Sequence, residues 1–542
     1  YHKQKEQIYP IHFNQKTVII VGCTYAGTWA AVTLRSLEPS TKIIVFERNS
    51  YTSFLPCGIH LAVNGTCTDQ SKLFYNSPEK MSQIGIEVFT DSPVDNVDFD
   101  KNLVNVQTAG QNKQFRYTHL IIASGSEPIV PPIVGNVNYL GNVSAQMRAK
   151  SRVMLCKNYS DSLKLAQIKH PAKVCVIGAG LIGMEMAWAL QMAGSDISVI
   201  DHASSWFEKQ YDPQIVEILG KAMTETKQIE VLSKTRVCKM EETQFDVQLV
   251  VEKQENGKTS MVQFRFDYVV ICAGFKPNTQ NIINNQCVPQ TQKLQNLNGS
   301  LVTNVNRQTT IPNVYAAGDC STVLSQLLQK NLQFPLSTNA VRDAMLAAYH
   351  ISGAKLPYKG SNLSSAVYLF GYSAGKTGFH QKTAEKMYQH VRSTTYSEYL
   401  YHAYCLRQVE KVVQNEALND KFDRFGDIVR GVADMVVDSV EFGLEIEQQQ
   451  CNIASVIICF NNKTGQIYGA QCLGQQDITQ KINTVSLAIN QQVTVDELAQ
   501  MDFGGFCGDE KPWNVLMVAA ASKDIEPVDF QCEHLYGEYM FQ

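Results

Sequence analysis

Thr17-Val18-Ile19-Ile20-Val21-Gly22-Cys23-Thr24-Tyr25-Ala26-Gly27 is the stretch on which the reading of this chain turns. A β-branched run stops at Gly22, and the apolar residues from Trp29 to Leu37 predict a helix after the turn. Lys42-Ile43-Ile44-Val45-Phe46-Glu47 then predicts a second strand, ending in an acid about 20 residues beyond the turn. This order is that of a dinucleotide-binding unit. Gly22 permits the turn and Gly27 lets the helix close on the strand, while the free N–H groups between them, around Thr24, suit a pyrophosphate. Glu47 stands where such folds contact a ribose hydroxyl.

The pattern returns further along. Val174-Cys175-Val176-Ile177 leads into Gly178-Ala179-Gly180-Leu181-Ile182-Gly183, and Ile197-Ser198-Val199-Ile200-Asp201 supplies the second strand and its acid. One GxGxxG alone is weak evidence. Two glycine turns, each in strand–turn–helix order with a distal acid, predict two nucleotide sites. A carboxylate at Asp201 accepts from both ribose hydroxyls and repels a 2′-phosphate, and no arginine follows closely to welcome one, so the second site reads as NADH rather than NADPH. A third element, Ile311-Pro312-Asn313-Val314-Tyr315-Ala316-Ala317-Gly318-Asp319, predicts a strand ending in an acid suited to a flavin's ribityl chain.

Between the two glycine turns lies Ser53-Phe54-Leu55-Pro56-Cys57-Gly58. Five positions after Cys57 stands Ala62, and the next cysteine is Cys67, so the spacing excludes the dithiol of two-cysteine reductases. The working states of such a sulfur are a thiolate and a sulfenic acid, or a mixed disulfide.

With 542 residues, 44% hydrophobic, the chain can bury several domains' worth of core. A net charge of −4 offers no broad basic field for nucleic acid or anionic membrane. Fifteen cysteines without a CxxC pair argue against a disulfide framework or a zinc site and fit a reducing compartment; no metal is expected. No continuous apolar run is long enough to predict a membrane span. The polar start at Tyr1 leaves a removed leader open, so the expected location is cytoplasmic, with an organelle as the alternative.

Together these stretches, with Leu73-Phe74-Tyr75-Asn76-Ser77-Pro78-Glu79, Leu155-Cys156-Lys157-Asn158-Tyr159, Thr338-Asn339-Ala340, Tyr468-Gly469-Ala470-Gln471 and Lys511-Pro512-Trp513-Asn514, resemble the single-cysteine branch of the pyridine nucleotide–disulfide oxidoreductases. Within it they are similar to NADH oxidases and NADH peroxidases, and related to coenzyme A-disulfide reductases. The resemblance implies an α/β fold with two Rossmann-like domains of the glutathione-reductase type, for FAD and NAD, plus a C-terminal α/β dimerisation domain. The boundaries it implies are an N-terminal extension at 1–15, an FAD domain at 16–150 and 276–355, an NADH domain at 151–275, and a C-terminal domain at 360–542.

It further implies FAD on Gly22, Thr24, Gly27, Glu47, Asp319, Thr338 and Asn339, and NADH on Gly178, Gly180, Gly183, Glu185, Asp201 and Gly274. The implied reaction consumes two NADH per O2, with Cys57 scavenging the peroxide and passing through a sulfenic acid. NADH peroxidase, or reductase of coenzyme A disulfide or polysulfide, is the enzymatic alternative, and a catalytically weakened flavoprotein with an assembly role the non-enzymatic one. A homodimer is implied.

Three departures from the family pattern stand out. Tyr25 occupies the place of the usual histidine in the first glycine turn; with a pKa near 10 it can hydrogen-bond a peroxide or sulfenate oxygen but is a poorer proton shuttle. Asp502 to Gly508 replaces an aromatic, proline-containing segment and brings Cys507. An insertion near 410–450 reads as a helical elaboration, with a docking surface for a protein partner as the other possibility.

Overall fold

Strand Thr17–Val21 is buried along its whole length, as a strand covered on both faces must be. Successive side chains point to opposite faces. Val18 and Ile20, with Ile43, Val45 and Ile121 of neighbouring strands, meet Ala30, Ala31 and Leu34 of helix Tyr25–Leu37 and Ala344, Ala347 and Ala348 of helix Ser337–Ile351. Small alanines let both helices lie close to the sheet. Ile19, Val21, Ile44 and Phe46 meet Val104, Val106 and Phe115 on the other face. Truncating one of the large members to alanine would cost about 2–5 kcal/mol.

The computed structural model describes residues 8–9, 15–135, 150–207, 210–226, 228–255, 257–280, 282, 294, 298–401, 451–504 and 514–524. They fall into two units, Tyr1–Lys209 with Gly220–Leu363, and Gln210–Leu219 with Ser364–Gln542.

The first unit holds the same architecture twice. Its first parallel sheet has the order Val314–Ala316, His119–Ile122, Thr17–Val21, Lys42–Phe46, Ile86–Phe89. The second has the order Val153–Leu155, Tyr268–Ile271, Lys173–Ile177, Asp196–Ile200, Ile229–Leu232. In each copy a three-stranded antiparallel meander, Val94–Arg116 in one and Thr235–Phe266 in the other, comes just before the strand that pairs beside the glycine-turn strand, His119–Ile122 and Tyr268–Ile271. The chain leaves the first copy along Ser126–Pro128 and returns along Phe275–Pro277, and these two passes pair antiparallel.

The first helix starts at Tyr25, four residues before the expected Trp29, because the glycine turn is itself the helix's first turn. Trp29 is an exposed residue on that helix, so the apolar signal started too late.

The second unit has a five-stranded antiparallel sheet, ordered Ser365–Leu369, Tyr372–Gly378, Ile467–Gly474, Cys451–Asn461, Val391–Tyr401. Helices Gln381–Met387, Thr479–Gln491, Val495–Ala499 and Val515–Ala521 accompany it, the last capped by Asn514. The 410–450 segment, Cys507, Lys511 to Trp513 and most of the N-terminal extension lie outside the described residues.

Candidate functional site

The two glycine turns are alike at atomic detail. Gly22 has φ +97°, and a Cβ there would stand 2.3 Å from the Ala123 carbonyl oxygen; at Gly178, φ +110°, it would stand 2.4 Å from that of Cys272. A Cβ on Gly27 would fall 1.8 Å from the Gly22 oxygen, and one on Gly183 1.9 Å from the Gly178 oxygen. Neither helix could approach its strand with any larger residue. Around Gly180 there is open space. Both turns therefore fit a dinucleotide pyrophosphate, with backbone N–H groups left facing outward.

The distal acids behave alike too. Glu47, just past its strand, accepts from the Cys23 N–H (2.8 Å) and the Asn49 N–H (2.9 Å). Asp201 accepts from the Ala179 N–H (2.6 Å) and the Ala203 N–H (2.8 Å). Each thus secures the residue after the first glycine, and a carboxylate has further lone pairs for ribose hydroxyls. Burial pushes the Glu47 carboxyl above its usual range despite those bonds.

Cys57 is exposed and sits in the single turn Pro56–Gly58, ahead of helix Ile59–Val63. What holds it is the segment before it. Ser53 has φ +58°, a left-handed conformation uncommon for serine. Its N–H donates to the Cys23 carbonyl at 2.7 Å, its hydroxyl meets that of Thr28 at 2.9 Å, and its carbonyl accepts from the Tyr75 N–H at 3.2 Å. The cysteine segment is thereby tied to the first glycine turn. Tyr51, Phe54, Phe74 and Tyr159 stack edge-on or tilted at centroid separations of 4.9–6.1 Å and brace it further. Gly58 gives Leu73 room, since a Cβ would meet its Cδ2 at 2.6 Å.

Tyr25 reaches the sulfur. Burial first, and then the nearby Cys57 sulfur, push Tyr25 well above the ordinary tyrosine range. Its ring stacks on that of Tyr75, with centroids 5.8 Å apart. The nearest imidazole in sequence is His60, and burial lowers its pKa. At neutral pH the group contacting the thiol is thus a neutral phenol.

Asp319 accepts from the Ser126 hydroxyl at 2.7 Å and pairs with the Lys157 ammonium at 3.4 Å; Lys157 also donates to Ser126 at 2.9 Å and lies 4.5 Å above the Phe275 ring. The preceding Gly318, φ +79°, donates its N–H to Asp343, which is buried against Arg307 at 3.2 Å. Thr338 and Asn339 open helix Ser337–Ile351. Thr338 is exposed. Asn339 is buried and occupied with Phe334, Arg342 and Ser361, so its side chain frames the helix start. Gly274, φ +100°, accepts from the Ile129 N–H at 2.8 Å beside the crossing passes.

Burial raises the Glu185 carboxyl, in the helix after the second turn, to about 7. Cys23, buried, is raised to about 12 by desolvation, and burial also raises Cys175 and Cys320, so all three behave as inert core thiols.

The family model of the pyridine nucleotide-disulphide oxidoreductases matches residues 16–344. The chain belongs to that family. The oxidoreductase is 29% identical over 513 residues to an NADH oxidase of Enterococcus faecalis, covering 93% of this chain and 98% of that one. To an NADH oxidase of Mycoplasma genitalium it is 27% identical over 523 residues, covering 93% and 96%. The structure of the water-forming NADH oxidase from Lactobacillus brevis bound to NADH superposes with TM-score 0.76 at 25% identity, covering 94% of this chain and 98% of that one. The reduced Bacillus anthracis CoADR-RHD structure, at 20% identity and TM-score 0.76, shares the fold.

Sequence reasoning missed Lys157 and Ser126. Both contact Asp319, yet Lys157 is 162 positions from it and Ser126 193, and no local spacing announces such a meeting. Tyr368 lies exposed on the edge strand Ser365–Leu369 and Tyr372 opens the neighbouring strand. Among the described residues no group of acidic, histidine and cysteine side chains could hold a metal, and no helix is long and apolar enough to cross a membrane.

Proposed function

We propose that this oxidoreductase is an FAD-dependent NADH oxidase that reduces O2 to water, with Cys57 as its redox sulfur. The observation carrying this reading is the exposed Cys57 thiol beside the buried Tyr25 phenol, on a segment anchored to the first glycine turn. The likeness to NADH oxidases over nearly the whole chain supports it.

Gly22, Thr24, Gly27 and Glu47 would hold FAD, with Asp319, kept in place by Ser126 and Lys157, toward its ribityl chain and the start of helix Ser337–Ile351 beside it. Gly178, Gly180, Gly183 and Asp201 would hold NADH, with Glu185 and Gly274 beside it. When bound, FAD supplies the two-electron chemistry that takes hydride from NADH and reduces O2 as far as peroxide. The Cys57 thiolate attacks one peroxide oxygen; the S–O bond forms as the O–O bond breaks, and water leaves after protonation. Tyr25 holds the new sulfenic oxygen through its O–H, in a site where burial keeps the phenol protonated. A second NADH furnishes two electrons, the S–O bond breaks, and a second water departs.

Counting NADH against O2 tests this. Two NADH per O2 without free peroxide is the expected result, and Cys57→Ser is expected to give one NADH per O2 with peroxide released. An unchanged product ratio in that variant would remove Cys57 from the mechanism, and anaerobic NADH-dependent cleavage of coenzyme A disulfide at a comparable rate would favour the reductase alternative. The domain boundaries at 16–150 with 276–355, 151–275 and 360–542, a homodimer and a cytoplasmic or organellar location belong to the same reading. Light scattering at twice the 60.5 kDa chain mass is expected for the dimer.

A further inference from the structure

Val153–Leu155 and Val269–Ile271 run in parallel register, with Leu155 opposite Ile271. One step further along each chain stand Cys156 and Cys272, both free and side by side in this register, with Cys272 acting on the Cys156 thiol. Paired strands lie about 4.8 Å apart, inside the Cα separation of about 4.4–6.8 Å that a disulfide spans. The chemistry at Cys57 uses neither sulfur.

Their position ties the pair to the second glycine turn. The Cys272 N–H continues the ladder to the Ile177 carbonyl at 2.8 Å, and its own carbonyl lies directly under Gly178. A Cβ on Gly183 would come within 3.4 Å of the Cys272 Cβ. The second glycine turn therefore rests on Cys272. On the other side, Cys156 is followed by Lys157, which reaches Ser126 and Asp319.

We infer that Cys156 and Cys272 form a reversible disulfide in response to a hydroperoxide, and that its closure weakens NADH binding at the Gly178–Gly183 turn. Cys272, the more exposed of the two, is the sulfur met first. It gains an S–O bond as the peroxide O–O bond breaks and water leaves. Cys156 then attacks that sulfur, the S–S bond forms, and the oxygen departs as a second water. In total the two thiols lose two electrons and two protons, and one peroxide is reduced to two waters. The neighbouring Cys272, and burial, hold the Cys156 thiol well above the usual range, which slows its attack. The sulfurs must draw in to about 2.05 Å, and a turn with no clearance above the Cys272 carbonyl has to follow.

The effect on affinity rests on the reading of this turn as the NADH cradle; the disulfide does not. The test treats holoenzyme with hydrogen peroxide, caps remaining thiols with iodoacetamide, maps peptides by mass spectrometry, and titrates NAD+ calorimetrically before and after. A linked Cys156–Cys272 peptide is expected, with NAD+ bound roughly fivefold or more weakly. Dithiothreitol should reverse both changes, Cys272→Ser and Cys156→Ala should prevent them, and Cys57→Ser should leave them intact. No linked peptide from protein whose Cys57 is already oxidised overturns the disulfide. A linked peptide with unchanged NAD+ affinity overturns the coupling, whereas untreated holoenzyme that binds no NAD+ overturns the cradle reading. Should the variants fail to fold, the wild-type peptide map and titration still decide.

Discussion

The two nucleotide-binding copies of this chain share strand order, a meander, a glycine turn whose Cβ clearances agree within about 0.1 Å, and an acid bonded to the same turn N–H. They differ in what is built over the turn. In the first copy Ser53 in a left-handed conformation docks the Cys57 segment on the Cys23 carbonyl, and Tyr25 closes on the sulfur. In the second, the corresponding turn keeps an open Gly180 and is followed by Glu185 in a desolvated setting. One scaffold thus hosts two tasks, because the scaffold sets only where a pyrophosphate lies and the additions set the chemistry.

The comparison breaks most sharply at the third glycine of each turn. Gly27→Ala is expected to abolish flavin binding, giving colourless or unfolded protein, since its Cβ would overlap the Gly22 oxygen at 1.8 Å. Gly183→Ala, with 1.9 Å of clearance, should retain the flavin spectrum yet lose bleaching by NADH under nitrogen. If both variants lose flavin together, the copies are not independent cradles.

A smaller effect is expected at the sulfur's partner. Tyr25→Phe should slow reduction of the Cys57 sulfenic acid by about 100-fold or more, measured by stopped flow. Tyr25→His should restore part of the rate and introduce an inflection near pH 6–7. The native enzyme should lack that inflection, because its raised phenol stays protonated past pH 10. A native profile already bending at pH 6–7 on Tyr25 would contradict the assignment.

At the distal acid of the second copy, Asp201→Ala is expected to lower the preference for NADH over NADPH by roughly tenfold, a loss of about 1.4 kcal/mol of discrimination. Because Asp201 also secures the Ala179 N–H, KM for both cofactors should rise. An unchanged ratio would show that the ribose is read elsewhere.

The gentlest difference is in stability. Glu185 has its carboxyl raised from 4.5 to about 7, so between those values the folded protein keeps a proton that the unfolded chain has released. Its contribution is then complete below about pH 4.5 and is lost as pH rises through about 7. Glu185→Gln should remove that slope and raise the melting temperature of NADH-free enzyme at pH 8 by about 2 °C. A steeper fall in the variant would put the proton on another group.

Much of this was legible beforehand because the signals are local. Gly22, Gly27, Gly178 and Gly183 sit within a few residues of the strands they leave, and the steric demand that selects glycine is met inside that short loop. Cys57 announced itself through the absence of a partner at Ala62. Helix Tyr25–Leu37 begins ahead of the apolar pattern because the turn's own residues carry no apolar periodicity. Asn339, expected at the cofactor, is buried and bonded to Phe334 and Ser361, and an asparagine at a helix start has the same sequence signature as a brace or as a ligand.

By itself, then, the sequence determined that there are two glycine turns with their acids, one sulfur between them, and a tyrosine in place of the family's histidine. Only the tertiary structure decided what that tyrosine faces, that Lys157 and Ser126 converge on Asp319, and that Cys156 meets Cys272 beneath the second turn. A glycine turn is fixed by backbone sterics over about ten residues. Meetings across some 30 to 190 residues depend on strand order and register, which are settled only when the whole unit buries its core.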